Sequence, residues 1–352
     1  MVRSGAPRGG SLSFTSGTGA SMSYLMLPAS FAILLTGALM FTNAIEWFGS
    51  LAGLGQGAVG SLLAAVATAL PESLIPIVAI LGGSSGSEDV AVGAIIGAPL
   101  LLATIAMALI GVAAVVYKAR RPQGLGLDVH YPTLQRDLGF FMGCLLVALL
   151  LGLGAPIGLR IAVAVALVAA YGVYATWTLR HSGPVEAEEK LTPLFLDTTR
   201  SDPPGMATVV VQLVIALAAI VAGAHIFVEE VLHVADSAGV EPLVLSLVLA
   251  PFATELPEKA NSFFWTRSGK DSLALGNVTG AMVFQSTIPV SIGLVFTSWN
   301  LDGYSVLAGC LALAGGLVAI VTLQIQRRFS GRAILLWATF YAVFVGYVLA
   351  TS

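Results

Sequence analysis

Apolar runs separated by short polar breaks recur ten times along the chain. They predict helices over about 24–48, 51–82, 89–117, 137–158, 160–180, 207–235, 241–266, 271–299, 303–326 and 332–351. Each is about as long as the roughly 20 apolar residues a helix needs to cross a bilayer. Midway, HSGPVEAEEKLTPLFLDTTRSDPPG concentrates acids and prolines. It predicts a cytoplasmic linker over 181–206, between one five-helix half at 22–180 and another at 207–352. The first 21 residues are Gly/Ser-rich, contain no acid and lack the apolar core of a cleavable signal peptide. They are expected to form a disordered tail, and Met22, which opens the apolar pattern, is an alternative start.

Composition supports the membrane class. The 352 residues are 57% hydrophobic and 10% charged, where soluble domains carry about 25% charged residues. Mean hydropathy is +0.91. The formal net charge of -3 carries no signal for nucleic acid. The two cysteines, Cys144 and Cys310, lie in apolar runs and read as core residues rather than a disulfide or metal pair.

Basic residues orient the helices. With ten spans, one side holds three of the 16 Lys and Arg residues: Arg3, Arg8 and Arg160. The other side holds twelve, in the breaks around 118–136, 180–200, 267–270 and 327–332. By the positive-inside rule the richer side is cytoplasmic, so both termini should lie outside. The sixteenth, Lys259, falls inside a span.

The chain also repeats itself. ATALPES at Ala67 matches ATELPEK at Ala253, and AVGAIIGA at Ala91 matches ALGNVTGA at Ala274. Each pair falls in the second and third spans of its half. Five spans is an odd number, so the halves would insert upside down relative to each other. Inverted repeats of this kind build secondary transporters, with the substrate site at the repeat interface near the bilayer midplane. Pro71, Pro76, Pro251 and Pro257 interrupt these spans. A proline lacks the N–H that would serve the carbonyl four residues back, and in lipid that carbonyl needs another partner. A mid-span proline alone is a kink; beside a glutamate, twice, it points to a bound cation.

Glu72, Glu255, Glu258 and Lys259 are the deepest ionisable residues. A charge at the bilayer centre costs about 2.5–3.5 kcal/mol even on lenient scales, so such groups are paired, hydrated or protonated. Lys259 lies four residues after Glu255, on the same helix face, and directly follows Glu258, which points elsewhere. Glu255 is therefore expected to pair with Lys259, leaving Glu72 and Glu258 as a pair of acidic ligands. With Thr68, Thr254 and freed carbonyls nearby, this oxygen supply suits calcium. Without a cation, one of two close carboxylates should take a proton.

These paired motifs resemble the two alpha repeats of the calcium/cation antiporter superfamily, whose best-known members are the sodium/calcium exchangers. Their usual pattern is G-T-S-L-P-E followed by G-N-x-x-G-S. The resemblance implies an all-α polytopic membrane protein: ten transmembrane helices in two inverted five-helix repeats, broken at the site, with both termini outside. It implies that Thr68, Glu72, Thr254 and Glu258 line the ion sites. It also implies alternating access, with the first and sixth spans sliding against the broken helices. The chain departs from the pattern where Ala69 and Glu255 replace the serine, Ala94 replaces the asparagine kept as Asn277, and Ala98 and Ala281 replace the second serine. Leu102 and Gln285 occupy the polar position that follows. Asn277 and Gln285 are expected to complete the shell, and Glu255 and Lys259 to set its charge.

The expected activity is antiport of calcium, or another divalent cation, against sodium or protons in a prokaryotic plasma membrane. The protein would be a monomer, not an enzyme, with no resident cofactor; its partners would be inorganic cations and the bilayer, not nucleic acid. A cation/proton exchanger for another ion, or a passive cation channel, is the alternative. A membrane hydrolase fits poorly, because His130, His181, His225 and His233 show no metalloprotease spacing. His225 reads as a hydrogen-bonded core histidine before a proton relay. Glu229 and Glu230 read as a solvated rim, and Trp47, Trp265 and Trp299 as interfacial anchors. Ser and acid residues in GSEDVA and GKDSLA read as helix caps.

Overall fold

The computed structural model describes residues 16–52, 71–181, 191–197 and 203–351, with the side chains of 16–24, 179, 181 and 256–258 excepted. The described chain is almost wholly helical. Its helices are α1 (Ser16–Leu51), α2 (Pro71–Gly82), α3 (Ser87–Val116), α4 (Tyr131–Leu151), α5 (Ile157–His181), α6 (Met206–Ala238), α7 (Pro242–Arg267), α8 (Asp271–Phe296), α9 (Gly303–Gln326) and α10 (Gly331–Thr351). Among the described residues, eight helices are long and apolar enough to cross a membrane; α2 and the Pro242–Glu255 part of α7 are shorter apolar helices. α1 begins at Ser16, inside the stretch read as tail. Residues 1–15, and the 53–70 part of the second predicted span, lie outside the described residues.

Apolar residues cover both the interior and the rim. Of the most apolar stretch of α3, 72% is buried, against 17% for α5. A helix that is apolar all round belongs in the centre, and α3 packs against α7, α8 and α9 there. Leu146, Val165, Val173, Val214, Leu317 and Val343 point outward from the peripheral helices, as lipid-facing side chains do.

The loops gather at two ends. At one end, the Leu301 N–H donates to the Gly152 carbonyl at 3.2 Å. There the Ser298 N–H donates to Glu88, and Arg160 donates to the carbonyls of Thr297, at 2.9 Å, and Ser298. Gly86 sits beside Pro242, so α3 and α7 both start at this end. At the other end, strand β1 (Gly126–Leu127) pairs antiparallel with β2 (Phe329–Ser330). Beside it Arg121 grips Asp271 through two 2.8 Å bonds and donates to the carbonyls of Thr266 and Gly126. The α3–α4, α7–α8 and α9–α10 breaks thus share one end. This is the grouping on which the count of basic residues depended.

Arg121 and Asp271 are both fully buried. Asp271 therefore serves as an ion-pair partner, not the helix cap expected of it, and neither α3 nor α8 has a side-chain cap. Trp299 also departs from expectation. It is fully buried, donates to the Ala148 carbonyl at 3.0 Å and packs on Gly293, so it locks α8 to α4 instead of sitting at an interface. Trp47 is buried as well, donating to the Thr192 carbonyl at 2.8 Å. Cys144 and Cys310 are unpaired thiols, and Cys310 is exposed, not in the core.

α1 and α6 pack along their length through small residues: Gly37 lies against Ile220 and Ala216, and Gly223 against Ile33 and Leu34. Residues 191–197 of the linker dock onto this pair. Leu194 is buried with Ala44, Trp47 and Val209. The fully buried Gln212 donates to Asn43 Oδ1 at 2.9 Å and accepts from the Leu196 N–H at 2.8 Å, while Asn43 donates to Thr192 Oγ1 at 2.9 Å. Gln212→Leu leaves the Leu196 N–H unserved, a loss of about 1–3 kcal/mol. A lowered Tm in detergent is expected, and an unchanged Tm would show that the dock contributes nothing.

Candidate functional site

The α3–α7 crossing is close because α3 presents glycines there. A Cβ on Gly93 would lie 2.5 Å from the Leu243 carbonyl oxygen, and one on Gly97 would lie 2.2 Å from that of Leu247 and 2.8 Å from Pro251 Cγ. The AVGAIIGA glycines thus let the two backbones touch, and Ser246 Oγ adds a 2.7 Å bond to the Val90 carbonyl. Gly97→Val is expected to push the helices apart, since overpacking costs about 1–3 kcal/mol. Thermal unfolding should show it against Gly139→Ala, whose Cβ meets nothing within 4 Å among the described residues.

Two helices lose regularity near this crossing, α3 and α8, while α7 stays one continuous helix despite its prolines, not the broken helix expected. In α3, Pro99 is followed by a π-helical turn over Leu102–Ala106, where Thr104 Oγ1 donates to the Leu100 carbonyl at 2.5 Å. Such back-bonding loosens a helix, and single π turns recur at functional sites. In α7, Pro251 and Pro257 withhold N–H groups from the carbonyls of Leu247 and Ala253. α8 breaks at Ser286–Thr287, between Asp271–Gln285 and Ile288–Phe296, and Pro289 leaves the Gln285 carbonyl without its helical donor. Leu102 and Gln285 are 183 residues apart, as are Ala91 and Ala274. Both halves therefore interrupt the same helix at the same place, one by a π turn and one by a break.

Charged groups sit at this junction. Glu255 is fully buried and Lys259 nearly so. Lys259 Nζ lies 3.1 Å from Glu255 Oε2, the pairing expected from their spacing. Gln285 Nε2 donates to Glu255 Oε1 at 3.1 Å, joining the α8 break to the pair. A small apolar cavity flanks Lys259, lined by Leu101, Ile105, Ala106, Leu109, Pro251 and Phe252. Glu72 is buried in the first turn of α2, whose Ile75 and Ala79 share a core with Ala91, Ala94, Ala250 and Ala253. Thr254 is buried, its hydroxyl on the Ala250 carbonyl at 3.2 Å. Asn277 donates to Ser262 Oγ at 3.1 Å. Thus Glu255, Lys259 and Gln285 are brought together, while Asn277 bonds to a turn of α7 nearer the Arg121 end. Thr68 and the Glu258 side chain lie outside the described residues. No group of three His, Cys, Asp or Glu that could hold a metal occurs among the described residues, so carbonyl, hydroxyl and amide oxygens matter here.

Two features differ from the sequence reading. His225 is not a core residue: it is 61% exposed on α6 and 3.3 Å from Glu229 of the next turn. Asp137 was missed. It is buried in α4, accepts from Tyr174 at 3.0 Å and from Thr279 at 2.9 Å, and pairs with Arg136 at 2.6 Å. Arg136 in turn stacks over the Tyr174 and Trp177 rings. The predicted span began at 137, whereas α4 begins at Tyr131, so a residue read as a boundary is two turns inside the helix. It ties α4 and α5 to the ALGNVTGA segment through Thr279.

The fold and sequence have known relatives. The solved H+/Ca2+ exchanger CAX superposes with a TM-score of 0.69 at 21% identity, covering 94% of this chain and 86% of that one. The sodium-calcium exchanger NCX_Mj superposes with a TM-score of 0.58 at 17% identity, covering 93% and 98%. The protein CaxA of Alkalimonas amylolytica is 29% identical over 164 residues, 44% of this chain and 50% of that protein. The sodium/calcium exchanger MaX1 of Methanosarcina acetivorans is 39% identical over 79 residues, 22% of this chain and 23% of that protein. The matches to CaxA and MaX1 thus span half or less of those relatives' lengths. The model of the sodium/calcium exchanger protein family matches residues 22–180 and again 208–350, and so nearly the whole of both halves: the chain is a multi-pass membrane protein of the sodium/calcium exchanger family.

Proposed function

We propose that this protein is a secondary active antiporter that exchanges calcium, or another divalent cation, for sodium or protons by alternating access. The observation that carries the reading is the meeting of a buried carboxylate–ammonium–amide cluster on the proline-bearing α7 with two interrupted helices, on the two motifs the halves share. Buried charge in a membrane helix is expensive and marks ion pathways. Carbonyls freed by proline and by breaks supply the neutral oxygens a hard cation needs.

In this reading Glu72 and Glu258 coordinate the ion as cargo, and Thr68 and Thr254 add oxygens. Asn277 and Gln285 complete or orient the shell. The chain forms ten transmembrane helices as two inverted repeats, 22–180 and 207–352, joined by a cytoplasmic linker at 181–206, in a monomer with both termini outside a prokaryotic plasma membrane. The shared end of the α3 and α7 starts, and the opposite end reached by α8 at Asp271, support the inversion.

Calcium uptake into proteoliposomes, with outward sodium, potassium and proton gradients imposed one at a time, tests the function. One gradient is expected to accelerate uptake and the others not. Uptake that follows voltage alone, with no counter-ion requirement, would mark a passive channel.

A further inference from the structure

We infer that the Lys259 ammonium is a resident monovalent cation of the transport site: it fills, permanently, a cation position that Glu255 and Gln285 would otherwise offer to a mobile ion. The inference rests on the location of the site proposed above. A carboxylate buried as fully as Glu255 needs a compensating cation or a proton, and the Lys259 ammonium is within reach of it. Its Oε1 accepts from the Gln285 amide at 3.1 Å, and its buried Oε2 lies 3.1 Å from the Lys259 ammonium, an ion pair without hydrogen-bond geometry.

The ammonium cannot leave as a mobile ion would. It is tethered one helical turn from Glu255 on α7, and its stem runs beside the cavity lined by Ile105, Ala106, Pro251 and Phe252. That wall is apolar, so the carboxylate is the polar partner on offer along it. Gln285 adds a second reason. It ends the first part of α8, where Pro289 cannot give its carbonyl the helical N–H, so this side chain and carbonyl stand at a point suited to an ion.

Within ATALPES and ATELPEK the two halves differ in charge at two positions. Aligning ATALPES with ATELPEK, an offset of 186, sets Glu255 and Lys259 against Ala69 and Ser73, and the offset of 183 sets Gln285 against Leu102. The first half carries neither the extra acid nor the extra ammonium. The second half carries both, with no net change in charge. Adding a carboxylate together with its own cation creates a monovalent-ion position and closes it in one step. The cycle therefore carries one fewer mobile monovalent ion than the same site would without Lys259.

The test uses purified full-length protein and reads Tm against sodium or potassium, with choline holding ionic strength constant. A cation that binds only the folded state raises stability with its concentration. Lys259→Met is expected to gain a sodium- or potassium-dependent rise in Tm that wild type lacks or shows with one ion less in slope. Lys259→Arg should follow wild type, and Glu255→Gln/Lys259→Met should lose the gain. Equal cation dependence in Lys259→Met and the double variant overturns the inference. If Lys259→Met folds poorly in choline, recovery in sodium or potassium supports it. Failure to recover in either salt, while the double variant folds, contradicts it. The readout needs no flux, so failed calcium exchange by wild type would count against the proposed function and leave this result standing.

Discussion

Glu258→Gln and Glu72→Gln are each expected to abolish calcium uptake by proteoliposomes while leaving the protein folded. The amide has the shape of the carboxylate but not its charge, and it turns two N–H donors toward the place where a cation needs oxygen. Two unit charges about 4 Å apart interact by about 4 kcal/mol at an effective dielectric constant of about 20, about a thousandfold in affinity. Loss of either glutamate should therefore be visible as a loss of uptake at any practical calcium concentration. Glu72 is buried in α2, and Glu258 holds the matching place in the second motif. Tm and elution volume of both variants should match wild type. Wild-type uptake by either variant would move the site away from that glutamate.

The second large effect is on stability. Asp271→Ala is expected to destabilise the protein by about 3–5 kcal/mol, because it leaves a buried guanidinium without its carboxylate. Arg121 and Asp271 are wholly buried, joined by two bonds, and tied further to the α7 end at Thr266 and the strand at Gly126. Arg121→Met should cost a similar amount. The double variant should recover part of the loss, since an apolar pair of similar volume is often tolerated where a lone charge is not. Tm values of the four proteins form a double-mutant cycle. Independent, additive losses would show that the pair is not coupled.

Which parts of this were legible beforehand follows from how local the signal is. The apolar runs specify helices one by one, and the positions of Arg and Lys sort the loops, because both patterns are read along the chain. The Glu255–Lys259 pair was legible for the same reason: four residues on a helix place both on one face. The Gln285 amide reaches Glu255 from 30 residues away, and Arg121 reaches Asp271 from 150, so only the packed helices reveal them. Asp271 looked like a helix cap because its distant partner was invisible. Trp299 looked like an interfacial anchor because its position near a span end says nothing of the Ala148 carbonyl it reaches. The π turn at Leu102–Ala106 leaves no composition signal, and it emerged as the counterpart of the α8 break only once both were seen. Thr68 and the Glu258 side chain rest on the motif alone.

The central claim is coupled exchange through a site that needs Glu258. The most direct measurement follows calcium in proteoliposomes of wild type and Glu258→Gln side by side, with calcium already higher inside and the driving counter-ion gradient outward. Wild type should accumulate calcium further, against its own gradient, until an ionophore collapses the counter-ion gradient; the variant should not accumulate it at all. Calcium that only runs down its own gradient, or uphill accumulation that survives in Glu258→Gln, would contradict the account.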